Sequence, residues 1–198
     1  MIQLIDKKEF FLYNPINFLK SEQMRHIYIF LLIILALPLS AKVIISPIDA
    51  MQQSYGNEST ISKKNILLTS VQAKRISLDA KAKLKSKIFR IFKATKDNKI
   101  LGYGVLVNRK VRSKNAVVLY IISKDSILKS IEIIAFNEPT EYIPSKTWMS
   151  QFNNLSTDKR LIVSKDIPTI TGATLSARSI VDGSRIALAF YDEILKGK

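Results

Sequence analysis

The sequence predicts an α+β fold, on two observations. The first is a set of four short runs rich in β-branched and aromatic residues, at 88–95, 100–107, 116–123 and 128–136. The second is a long helical pattern that follows these runs instead of alternating with them. Strands and then a helix mark a segregated architecture, not a doubly wound one. The connections are short and polar: Lys96-Asp97-Asn98-Lys99, a basic loop at 108–115, and Lys124-Asp125-Ser126. Such connections favour antiparallel neighbours, so the runs are expected to form a β-meander.

Taken in order, residues 27–41 run without a charge between Arg25-His26 and Lys42. That is shorter than the ~20 apolar residues of a membrane-spanning helix. It has the size of the apolar stretch of a secretory signal, and Pro38-Leu39-Ser40-Ala41 supplies the small residues before a cut after Ala41. A chain begun at Met24 has the proportions of a bacterial signal peptide. The alternative is an uncleaved anchor, prolonged past Lys42 by Val43, Ile44 and Ile45. Under either reading of 1–41 the remainder is exported, to the periplasm or the outer face of the inner membrane.

Residues 42–61, with Pro47, Gly56 and several polar residues, read as a linker leading into a domain at 62–198. From 62 to 87 there is no Gly or Pro, and Ala, Lys, Leu and Gln predict a helix with Leu67, Val71, Leu78 and Ala82 on one side. The four strands follow, then an irregular segment at 137–173. From 174 to 195 Ala177, Ile180, Val181, Ser184, Leu188, Tyr191 and Leu195 share one helical face, and Gly197 lies just past its end.

The chain has 31 Lys and Arg against 16 Asp and Glu, a formal net charge of +15. Sixteen of the basic residues fall between Lys63 and Lys114, with only Asp79 and Asp97 to oppose them. The stretch reads either as a solvated lysine-rich face or as a surface for anionic lipid or an acidic protein. Nucleic acid is not the expected partner, because few aromatics interleave with the lysines and the leader points to export. There is no Cys, and the single histidine, His26, adjoins the apolar run. Disulfides, thiolate metal sites, cysteine nucleophiles and Ser-His catalysis are thereby excluded.

The segment with most chemical content is Asp166-Ile167-Pro168-Thr169-Ile170-Thr171-Gly172-Ala173-Thr174-Leu175-Ser176-Ala177-Arg178. Gly172 and Ala173 leave the backbone open where a helix begins, and Thr171 or Thr174 is placed to act as its N-cap. A helix N-terminus favours a phosphate, and the Thr174 hydroxyl stands where a phosphate could be bonded as well as bound.

Thr171-Gly172-Ala173-Thr174, followed by Leu-Ser-Ala-Arg and a helix, resembles the FMN-binding domain family. That family includes the flavoprotein subunits of the sodium-pumping NADH:quinone reductase and of the Rnf complex. The resemblance extends more weakly over 88–195, through Leu101-Gly102-Tyr103, Ile131-Glu132-Ile133, Trp148 and Gln151-Phe152. In the family a flavin transferase joins FMN through a phosphodiester to the last Thr of the motif, which here is Thr174. The family acid lies three residues before the first Ser or Thr of the motif. Pro168 holds that position here, and Asp166, five before, is similar to the longer spacing of stand-alone members.

The resemblance implies an electron carrier or redox subunit, not a stand-alone enzyme, with a membrane or extracytoplasmic redox partner. Cofactor contacts are expected from Thr171, Gly172, Ala173, Thr174, Leu175, Ser176 and Asp166. Tyr142, Trp148 and Phe152 are candidates to pack on the flavin ring or to join the core. Glu138 and Glu141 are either ring or ribitol partners or solvated loop acids. Arg178 is placed to meet the phosphate or to face solvent. Arg185, farther along the same helix, carries no separate expectation. The competing function is an exported basic protein that binds an anionic partner or membrane surface without redox chemistry.

Overall fold

A computed structural model describes residues 26–30 and 43–198. Residues 26–30 are helical; the rest of the leader, including the cleavage position after Ala41, lies outside the described residues. Among the described residues no helix is long and apolar enough to cross a membrane. The chain divides into one unit at 1–40 and another at 41–198, and the second carries all that follows.

Six antiparallel strands form one sheet in strict sequence order. They are β1 (Thr60–Leu67), β2 (Ile88–Lys96), β3 (Lys99–Lys110), β4 (Asn115–Ser123), β5 (Ile127–Phe136) and the short β6 (Leu155–Ser156). Helix α1 (Pro47–Tyr55) precedes β1, α2 (Ser70–Ala80) lies between β1 and β2, and a single turn, α3 (Lys146–Met149), lies between β5 and β6. The chain closes with α4 (Thr174–Phe190), which continues into a wider π turn at Tyr191–Leu195. The predicted α+β class and the meander are therefore present, and the expected face of the last helix is buried throughout.

Two expectations are corrected. The segment 42–61 is not simply a linker, because α1 occupies nine of its residues and β1 begins at Thr60. Ser46 caps α1 by accepting from Asp49 N at 3.1 Å, Pro47 opens it and Gly56 ends it at φ +91°. The residues that read as breakers are the helix's own punctuation. The single helix over 62–87 is likewise divided. Its first part is strand β1, paired from Thr60↔Thr95 to Leu67↔Ile88. Lys63 and Lys64 are tolerated because β1 is an edge strand, where lysines discourage further pairing. Helix α2 starts only at a capping box, in which Thr69 and Gln72 exchange side-chain and backbone bonds at 2.9 and 3.2 Å. It buries Ile76 and Ala80, whereas Leu67, Val71 and Leu78 are exposed, opposite to the predicted face.

Both faces of the sheet are covered. On one, α2 and α4 pack over Phe89, Ile91, Val105, Tyr120, Ile131 and Ile133. Phe89 stacks on Phe190 with centroids 4.5 Å apart, and the buried Tyr120 hydroxyl donates to Ile180 O at 2.8 Å. On the other face α1 inserts Ala50 and Met51 against Phe92, Ala94, Leu119 and Ile121. Arg160 ties the irregular segment to both helices of the first layer, donating to Asp79 of α2 at 2.6 Å and to Asp192 of the π turn at 3.0 Å.

The sheet is split at one end. β1 pairs with β2 as far as Leu67↔Ile88, and β3 pairs with β4 as far as Lys110↔Asn115. Pairing between β2 and β3, however, begins only at Arg90↔Leu106. Ile88 and Phe89 thus part from β3 and leave an opening between the two strands.

Candidate functional site

Helix α4 begins in an unusual way. Its N-cap is Ala173, with no side-chain hydrogen bond, so neither Thr171 nor Thr174 serves as the expected cap. Gly172 sits at φ +77°, in the left-handed region where a β-carbon is disfavoured. That turn brings Ala173 N to Ile170 O at 3.0 Å, and the first bond into the helix runs from Ala177 N to Ala173 O. The N–H groups of Thr174, Leu175 and Ser176 have no intrahelical acceptor at this position and no capping side chain to replace one.

These N–H groups border a cleft of about 310 Å³. Gly172 to Ser176 form one wall, Glu138 and Tyr142 a second, and Val111 and Arg112 the third. The Thr174 hydroxyl is half-buried and donates to Ile170 O at 3.3 Å, a long and readily exchanged bond. Ser176 is 1% exposed, and its Oγ has no hydrogen-bond partner among the described residues. A buried hydroxyl without a partner is costly, and its place in the cleft wall beside uncapped N–H groups suits a ligand that brings acceptor oxygens. Val111, Tyr142 and Leu175 add apolar surface beside that polar corner. The residues fit a phosphate at the polar corner with an apolar group beside it.

The third wall is held by Glu138. Its carboxylate accepts Lys114 N at 2.7 Å, Arg112 N at 3.0 Å and also Ser113 N and the Ser113 hydroxyl. Glu138 is therefore not a solvated loop acid: Oε1 takes the turn's N–H groups, and Oε2 accepts only from the Ser113 hydroxyl. It clasps the β3–β4 turn and presents Arg112 across from α4. The backbone N–H of Lys114 above all, with those of Ser113 and Arg112, holds the carboxyl below the usual carboxylate range. A depressed folded-state pKa contributes stability that is fully present above the unfolded value and is lost as pH falls through the folded one. Glu138→Gln is accordingly expected to lower the midpoint of thermal unfolding at neutral pH. The gap to the parent should narrow as acid protonates the parent carboxyl, and circular dichroism melts across that range check it. A gap that widens in acid contradicts this assignment.

The other candidates lie elsewhere. Asp166 is exposed and accepts Ile162 N at 2.8 Å, closing its own loop. Trp148 and Phe152 are buried against each other at 5.4 Å, with Trp148 Nε1 donating to Pro168 O at 2.9 Å. Both rings belong to the core and neither lines the cleft, so of their two readings the core one holds, and their place among the cofactor contacts does not. Their work is indirect: the Trp148 bond fixes the strand of chain leading to the motif. Thr171, Glu141 and Arg178 are exposed and outside the lining. Arg185 pairs with Asp182 and donates to Leu161 O. Val111 and Arg112 were hidden from sequence reasoning, since they stood within a basic stretch read only for its charge. The one signal available was the position of Glu138 just after a strand, where an acid can clasp a neighbouring turn.

No family model matches the chain, and no curated protein matches its sequence.

Proposed function

We propose that the chain is an exported electron-transfer flavoprotein that carries FMN at the N-terminus of α4, joined by a phosphodiester to Thr174. The observation that supports it is the meeting, in one cleft, of the half-buried Thr174 hydroxyl, an uncapped helix N-terminus and the unpartnered Ser176 hydroxyl. The helix N–H groups and dipole favour the phosphate. Ser176 Oγ donates to it, and Arg112 adds a positive charge from the facing wall. Val111, Tyr142 and Leu175 take one side of the ring and keep water from it.

FMN supplies the redox chemistry itself, which suits a domain with no Cys and no His. Attachment, the task of a flavin transferase, would need a flavin dinucleotide as donor: Thr174 Oγ bonds to the flavin-side phosphorus, the pyrophosphate bond breaks, and AMP leaves with the hydroxyl proton. The electron partner is membrane-bound or extracytoplasmic. Intact mass of protein made together with a flavin transferase tests the reading: one FMN added per chain is expected. An unmodified mass, with no flavin retained by the native protein, rejects it.

Compartment is tested separately. N-terminal sequencing from the native host is expected to start at Lys42 if the leader is cut, or at an intact leader in the membrane fraction if it is an anchor. Full-length chain in the soluble cytoplasm rejects export.

A further inference from the structure

The opening between β2 and β3 is a cleft of about 230 Å³. Lys85, Arg90 and Arg109 line it together with Phe89, Val107 and Ile186, and no carboxylate is among its lining residues. Asp182, outside the lining, is shared between Arg109 at 3.0 Å and Arg185, and Arg109 also donates to Lys83 O at 3.3 Å. Arg109 Nε is buried with no hydrogen-bond partner among the described residues. Lys85 feels this surplus: desolvation first, then the charges of Arg109 and Lys110, make its ammonium easier to deprotonate than an ordinary lysine.

At the mouth stands a pair of exposed apolar side chains. Leu67 and Ile88 face each other across β1 and β2 and are 73% and 61% exposed. Apolar side chains so exposed, at the rim of a cation-lined cleft, mark a surface built for contact. The register shows where that surface lies. Asn108 pairs with Val117, Val117 with Ala135, and Ala135 bridges to Val43, all at the same end of the sheet as Ile88. The described part of this domain thus begins at this end. Val43 itself is 65% exposed.

We propose that this end of the domain docks on a bilayer of anionic phospholipid, with a headgroup phosphate received between Lys85, Arg90 and Arg109 and with Leu67 and Ile88 entering the interface. Guanidinium and ammonium groups bind phosphate oxygens, and cations near an anionic leaflet add attraction that falls off within a Debye length. Apolar side chains flanked by basic ones are the composition of interfacial segments. The proposal stands apart from the flavin reading, and its test uses no flavin.

Because the chain has no Cys, one engineered thiol labels one site. The full-length chain with Ile88→Cys carries an environment-sensitive fluorophore; Asn57→Cys, exposed just past α1, serves as the reference. On vesicles containing phosphatidylglycerol the Ile88 probe should shift to the blue and be quenched by brominated lipid, and the Asn57 probe should not. On phosphatidylcholine vesicles the Ile88 shift should be absent, even where the apolar leader holds the protein on the membrane. Lys85→Gln with Arg90→Gln should weaken the response roughly tenfold or more. An unmoved Ile88 probe on phosphatidylglycerol overturns the proposal. So does an equal shift on both vesicle types, or a charge variant that matches the parent. A saturable shift with an acidic soluble protein and none with vesicles would assign the face to a protein partner and overturn it too.

Discussion

Thr174→Ala is expected to abolish covalent flavin while leaving the fold in place. The substitution removes a hydroxyl whose one bond, to Ile170 O, is 3.3 Å long. Its loss costs at most about 1 kcal/mol, and Ala is a better helix former than Thr at the first position of α4. In-gel fluorescence of denatured protein, made with a flavin transferase, should therefore fall to background. Reversible binding to the native variant can persist, since the α4 N–H groups and Ser176 Oγ remain. Thr174→Ser keeps the nucleophilic oxygen and should retain part of the label. Thr171, exposed and outside the cleft lining, is the reference position: Thr171→Ala should leave the linkage itself available. Fluorescence that survives in Thr174→Ala moves the attachment to another hydroxyl and breaks the proposed site.

The largest effect on stability is expected at Gly102. A β-carbon there would overlap the Tyr55 hydroxyl and the carbonyl oxygen of Ile122, and would lie 2.9 Å from Ser123 Cα. The last two are β4 backbone and cannot swing aside. Gly102→Ala must therefore push β3 from β4 and also disturb the 2.9 Å bond from Tyr55 Oη to Ile122 O. Overpacking of this kind costs about 3 kcal/mol, which in a chain of this size lowers the unfolding midpoint by roughly 6–12 °C. Adding Tyr55→Phe relieves only the side-chain overlap, so the double variant should recover a minor share. Full recovery would mean that the tyrosine, not the strand, sets the restriction. The comparison is a double-mutant cycle between residues in contact.

What could be read from the sequence divides along physical lines. The central strands and α4 were legible because burial marks their residues. β4 is covered on both faces and so runs apolar without a break from Val118 to Ile122, and Ala177, Ile180, Val181 and Ser184 of α4 form one stripe. β1 was illegible by the same logic. As an edge strand it buries little, so its Lys63-Lys64 pair carries no period and resembles the polar side of a helix. The boundary was nevertheless written, in the Thr69–Gln72 capping box, and Ser46-Pro47 and Gly56 marked α1 equally well. The helix half of the cleft could be named from the motif, because a helix start is local. Arg112 could not, for its approach to Thr174 depends on where a hairpin tip ends up some 60 residues away in the chain, and Glu138 could be named as a candidate but not as the clasp of that tip.

Because every neighbour in the sheet is also the next strand in sequence, pairing needs only short loops to close, an arrangement that favours fast assembly. A chain that reaches its compartment N-terminus first can lay down β1 to β5 one after another as each arrives. The side of the sheet destined for α4 must then wait, with Phe89, Tyr120 and Ile131 not yet covered by it, until α4 has emerged. Such an intermediate is sticky, and it has no cleft, because one wall of the cleft is the start of the helix still missing. On the proposed attachment, maturation would therefore have a built-in order: the Thr174 hydroxyl is offered in its finished surroundings only once α4 has folded, so a transferase that needs those surroundings would pass over half-folded copies.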